Sequence, residues 1–189
     1  MTVRRIVFSV VAVGLLVGVT GSRAFAQDHS HGVSAAQGGK AAELVQAVRD
    51  VTERFQDVKV AEAEGYALNF GCVSGPDFGA MGLHYINGPL VGDGVIDVNR
   101  PEIILYEAQP NGKLKLTGAD YLVFADAWNT THSSAPELMG QLFQFFDAPN
   151  RFGLPPFYTL HVWAWKESPT GSFVNWNANI SCDAFKGQN

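Results

Sequence analysis

From Ala41 onward, Leu44, Val48, Val51, Phe55 and Val58 recur at steps of three and four residues, and Glu43, Arg49, Asp50, Glu53 and Arg54 fill the positions between them. That spacing gathers the apolar side chains on one stripe of a helix about four turns long, which must pack on something apolar. A second short helical turn is expected from Asp57, a good N-cap, to Gly65, a good terminator. Beyond Gly65 the period drops to two, or to short apolar runs between turn signals. Strands are predicted at 66–73, 81–87, 102–108, 113–117, 120–125, 142–146, 157–165 and 172–174. Gln109-Pro110-Asn111-Gly112 reads as a hairpin turn, so the strands on either side of it should pair antiparallel. Ser134-Ala135-Pro136-Glu137 has the form of a capping box with proline in the first turn, which predicts a short helix before Leu142. The expected architecture is α+β: an N-terminal amphipathic helix packed on a mainly antiparallel twisted sheet, with long irregular loops.

The N-terminus follows a different pattern. Arg4 and Arg5 precede an uncharged apolar stretch from Ile6 to Val19, and Ala24-Phe25-Ala26 follows it. A stretch of about 14 apolar residues is short for a bilayer span and suits a signal-peptide core, with the small residues forming the cleavage site. Residues 1–26 are therefore expected to be a signal peptide, better suited to general secretion than to the twin-arginine route. Residues 27–39 lack periodicity and are expected to form a flexible tail. Residues 40–189 are expected to form a single globular domain.

Composition narrows the class. Hydrophobic residues make up 47% and charged residues 16%, which argues against disorder or a coiled coil. Net charge is −5, and it becomes −8 once Arg4, Arg5 and Arg23 leave with the signal. No basic cluster follows the first five residues, so nucleic acid is not an expected partner. After signal cleavage nothing long and apolar enough remains to span a membrane. Cys72 and Cys182 are the only cysteines. In an oxidising compartment they are expected to form one disulfide, closing a loop of about 110 residues worth roughly 4–5 kcal/mol.

The densest feature is Phe157-Tyr158-Thr159-Leu160-His161-Val162-Trp163-Ala164-Trp165. Alternation places Phe157, Thr159, His161, Trp163 and Trp165 on one face, and both faces are apolar enough to be covered. A ligand pocket walled by Trp163 and Trp165, with His161 as its polar contact, is one reading. A packed core around a hydrogen-bonded histidine is the plain alternative. His84 and Glu107 likewise lie on apolar strand faces. A carboxylate there must find a partner or reach water, because an unpaired buried charge costs several kcal/mol. Two imidazoles and a carboxylate from three strands form a donor set for zinc, iron or copper, so His84, Glu107 and His161 are candidate metal ligands. Without a metal, the same groups suit general acid–base work. His132 is expected in an exposed loop, and Asp120 and Asp126 read as strand-end turn or cap residues. Cleavage after Ala26 would expose Gln27-Asp28-His29, an amino-terminal chelate for Cu(II) or Ni(II), with His31 as a further ligand. No nucleophile elbow, zincin motif, phosphate loop or dinucleotide fingerprint occurs.

Gly82-Leu83-His84-Tyr85-Ile86-Asn87, the segment from Pro101 to Glu107, the segment from Tyr121 to Trp128 and the 157–165 strand together resemble a family of exported bacterial proteins with no assigned activity. The closing stretch from Asn175 to Cys182 fits the same pattern. The resemblance covers roughly Ala61 to Cys182 and implies a bacterial envelope or extracellular setting, but no reaction, cofactor or catalytic residue. The leading expectation is an exported protein binding a small molecule or metal ion around His84, Glu107, His161, Trp163 and Trp165. A secreted metal-dependent or acid–base enzyme and a structural envelope protein are its rivals. The ligand and the oligomeric state stay open.

Overall fold

The structure, a computed structural model, describes residues 35–187. The signal segment and Gln27 to His31 lie outside the described residues. Leu44 and Val48, one helical turn apart on α1 (Ala35–Thr52), are fully buried against Ala119, Tyr121, Leu160 and Val162. This is the apolar stripe expected from the three- and four-residue spacing. The helix starts at Ala35, well before Leu44, the first residue of its stripe, so residues 35–39 are helical instead of continuing the expected tail. A 3₁₀ turn at Glu53–Gln56 then buries Phe55, and α2 (Val58–Ala63) is capped by the Asp57 carboxylate, which accepts from the Lys59 N–H.

Five antiparallel pairings build a six-stranded, curled sheet from β1 (Ala67–Gly75), β2 (Gly79–Ile86), β3 (Ile103–Ala108), β4 (Leu114–Phe124), β8 (Phe157–Val162) and β7 (Gln144–Phe146), in that spatial order. The β3–β4 hairpin turns at Gln109–Gly112 as expected, with the Gln109 N–H donating to Lys113 O and Gly112 at φ 79°. The two strands expected at 113–117 and 120–125 are one continuous strand. The register slips at Thr117, whose hydroxyl donates to Leu105 O, and Gly118 beside it lies against the Val162 carbonyl. A Cβ at Gly118 would come within 2.1 Å of that oxygen, so only glycine lets β4 continue there. A second irregularity inserts Phe70 and Gly71 into β1, both with φ 64°. Bulges add local twist and bend the strands that carry them, which suits the curl of this sheet.

Alternation sorts the side chains into two layers. Leu83, Tyr85, Ile104, Tyr106, Tyr121 and Leu160 face the helices, and Ile103, Leu105, Leu122 and Phe157 face the concave side. A disulfide joins Cys72 to Cys182, with Cα atoms 5.7 Å apart, and fixes the C-terminal segment to β1. Among the described residues no helix is long and apolar enough to cross a membrane.

Three local expectations change. The capping-box segment forms a small hairpin, β5 (Glu137–Leu138) with β6 (Gln141–Leu142), not a helix. Met139 and Gly140 both take positive φ between them, the backbone of a tight hairpin turn. No strand forms at 172–174; there the Ser172 carbonyl accepts from the Trp163 N–H. Two short helices, α3 (Gly88–Asp93) and α4 (Ala125–Asn129), add to the expected elements. The first carries readable signals nonetheless: Asn87 as cap, Pro89 in the first turn and Gly94 left-handed at the end.

Candidate functional site

Asp120 in β4 and His161 in β8 are direct cross-strand partners. His84 comes from β2, on the same concave face but beyond β3, and the curl of the sheet brings its ring to 5.8 Å from that of His161. One ligand atom from each of the three side chains lies within 4.8 Å of the others, and all three residues are buried. His161 Nδ1 is 3.5 Å from Asp120 Oδ1. Two ligands at about 2.1 Å from a shared tetrahedral ion stand roughly that far apart.

The hydrogen bonds around the group orient it. His84 Nδ1 lies 3.2 Å from Gly82 O, and because a carbonyl only accepts, Nδ1 carries the proton and the lone pair is left on Nε2. Thr159 donates its hydroxyl to Asp120 Oδ1 at 2.5 Å, and the Leu160 backbone N–H also supports the carboxylate. His161 differs from both. At 3% exposure, neither of its ring nitrogens has a hydrogen-bond partner among the described residues. Asn175 lies near enough to favour its charged form, without a hydrogen bond of ordinary geometry. Burial sets the protonation states. It lowers His161 to about 3 and His84 to about 4, the latter also through the neighbouring His161. It raises Asp120 to about 7, against the opposing hydrogen bond from Thr159. At neutral pH both imidazoles are therefore neutral, the form that binds metals.

These three polar groups and Thr159 share a cavity of about 250 Å³ with mostly apolar walls, among them Ile86, Ile103, Leu122, Phe124 and Phe157. Among the described residues no lysine or arginine lines it. Phe70, 44% exposed, stands at its rim with its ring 5.7 Å from that of Phe152. A bulky residue with positive φ is held only where its surroundings insist on it, and such strain concentrates near functional sites.

The structure brings together two of the three expected strand ligands. Glu107 is not with them. It follows Leu105 on the same strand face, where the C-terminal segment covers it: Lys166 Nζ donates to Oε2 at 2.5 Å and the Ser181 N–H donates to Oε1 at 3.0 Å. Its partners are thus complete away from the histidines. Asp120 takes its place. The sequence signal was present, since Asp120 alternates with Leu122 and Phe124, but the split at Thr117 made it look like a strand end.

Neither tryptophan walls the cavity. Trp163 packs behind the site, its ring 5.6 Å from that of His161 and its N–H bonded to Val174 O. Trp165 belongs to the helix-facing layer and donates to Thr52 Oγ1. β8 ends at Val162, where the Ala164 N–H turns back to the Val162 carbonyl, and the alternation expected through residue 165 ends with it. His132 stacks on the Trp128 ring in an exposed turn, as its loop position suggested. His29 and His31 lie outside the described residues. The chain matches no family model, no curated protein and no solved structure.

Proposed function

We propose that this is an exported protein that binds one divalent transition-metal ion through His84 Nε2, His161 and the Asp120 carboxylate. The observation that carries the reading is His161, a buried imidazole with no hydrogen bond of ordinary geometry among the described residues, set beside a carboxylate and a second imidazole whose proton is already committed to a carbonyl. A buried polar group without a partner costs about 1–3 kcal/mol, and a metal ion is a partner that offsets this. The Gly82 carbonyl holding the far nitrogen of His84, and the Thr159 hydroxyl on Asp120, match the outer hydrogen bonds that orient metal ligands. Two imidazoles and one carboxylate suit zinc, iron or copper and leave coordination positions open. The Cys72–Cys182 disulfide supports an oxidising location, in keeping with the signal-like N-terminus.

Cobalt(II) tests the reading because its visible absorption reports coordination by protein ligands. Added to the metal-free full chain, it should give a saturable visible band at one equivalent, absent in His84→Ala and His161→Ala. A spectrum unchanged from aqueous cobalt, or a band that survives both substitutions, sinks the proposal.

A further inference from the structure

The cavity beside the three groups narrows what can share the site. Its volume of about 250 Å³ exceeds the roughly 150 Å³ that accommodates benzene, which scales to about ten non-hydrogen atoms. Its walls are aliphatic and aromatic, and its polar side chains other than Asn69 gather around His161: His84, Asp120 and Thr159. With no lysine or arginine among the described lining residues, an anionic group would meet Asp120 and no fixed cation. A hydroxyl suits this lining. It donates and accepts at once, so it can donate to the free Nε2 lone pair of His84 and also pair with the Asp120 carboxyl beside it.

We infer that the cavity binds a small, uncharged, singly hydroxylated aromatic molecule of the phenol class, its ring among Ile103, Leu122, Phe124 and Phe157 and its hydroxyl at the His84–Asp120–His161 group. The inference deepens the metal reading by naming the molecule that shares the site, and rests on it only for contact between the hydroxyl oxygen and the ion. Rings prefer aromatic walls in offset or edge-on contact, and Phe157 already stacks on Phe146 beside the space. Phe70 and Phe152 at the rim make entry apolar as well.

The test is calorimetric titration of 4-propylphenol into the full chain, zinc-free and zinc-saturated. The controls are 4-propyltoluene, which replaces the hydroxyl by methyl, and 4-methylbenzoate, which replaces it by an anion. One phenol per chain is expected in both states, with the toluene control about tenfold weaker, the value of one or two buried hydrogen bonds. The benzoate is expected to bind the zinc-free chain more weakly still. Val91→Trp and Leu154→Trp, both at half-buried wall positions, should abolish phenol binding and leave zinc stoichiometry unchanged. Absence of phenol binding in both states overturns the inference. So do equal affinity for the toluene or the benzoate in the zinc-free chain, and binding that persists in both tryptophan variants. Phenol binding without zinc binding supports the inference and removes the metal reading; zinc binding without phenol does the reverse.

Discussion

Replacing His161 by leucine separates a functional histidine from a structural one. The ring is 3% exposed and both of its nitrogens are without partners among the described residues, each carrying a desolvation cost of about 1–3 kcal/mol. Leucine is of similar size and carries no polar atom; it would pack on Trp163 and the apolar cavity wall, with Asp120, His84 and Asn175 beside it. Against this stand the loss of the 5.6 Å ring contact with Trp163, of a weak attraction to Asp120 at 3.5 Å and of the interaction with Asn175. The balance predicts that His161→Leu stabilises the metal-free protein by about 1–3 kcal/mol. For a domain of this length that raises Tm by about 3–10 °C. Stabilisation by zinc should disappear at the same time, whereas the parent chain gains about 2.7 kcal/mol at a hundredfold excess over Kd. Urea unfolding of the full chain, followed by tryptophan fluorescence with chelator and with zinc, reads both effects. A variant about 2 kcal/mol less stable than its parent would show that His161 holds the fold together, and the reasoning would fail.

Stability should also fall from pH 6.5 to 8. Burial raises Glu102 to about 8 and Asp120 to about 7, so the folded state keeps protons that the unfolded state has already released, and stability declines as pH rises through that window. The lowered histidines act oppositely: their stabilisation grows as pH rises through 6.5 and is complete only at about 7.5, so together they offset about 0.8 kcal/mol of the decline. The net decline is of the order of 1–2 kcal/mol, and Glu102→Gln, which keeps the acceptor for the Leu122 N–H, should remove most of it; a denaturant midpoint that stays flat in the parent refutes the assignment. Lys166→Met leaves the Glu107 carboxylate without its cation and should cost about 1–3 kcal/mol, with zinc affinity unchanged by titration; a loss of zinc binding would return Glu107 to the site. Replacing Cys72 and Cys182 by serine opens a loop of 110 residues and should cost about 4 kcal/mol, read from the same unfolding curves; a loss below 1 kcal/mol would contradict the loop-closure argument.

Periodic features were the most legible. The α1 stripe, the Pro110-Asn111-Gly112 turn and the disulfide follow from spacing, local turn chemistry and a single available pair of cysteines. His84 and His161 were legible as site residues because each interrupts an apolar strand face. The carboxylate of the group differs from the expected one because its place depends on register. Thr117 bulges and Gly118 admits the Val162 carbonyl, so β4 runs on and carries Asp120 to mid-strand, opposite His161. Gly118 within the strand pattern is the one local hint of such a bulge, and it reads equally well as a break between two strands. Glu107 has the same alternation as a ligand, but Lys166 and Ser181 reach it from a segment more than fifty residues away, which spacing does not disclose. Trp165 left the expected face because β8 ends at Val162, a boundary that continuing apolar residues conceal.

The central claim is tested most directly by titrating zinc into the metal-free full chain carrying His29→Ala and His31→Ala, which removes the imidazoles expected in the tail. The account predicts one zinc per chain, abolished by His84→Ala or Asp120→Ala and retained in Glu107→Gln. No stoichiometric zinc, or zinc that persists without His84 and Asp120, would contradict it.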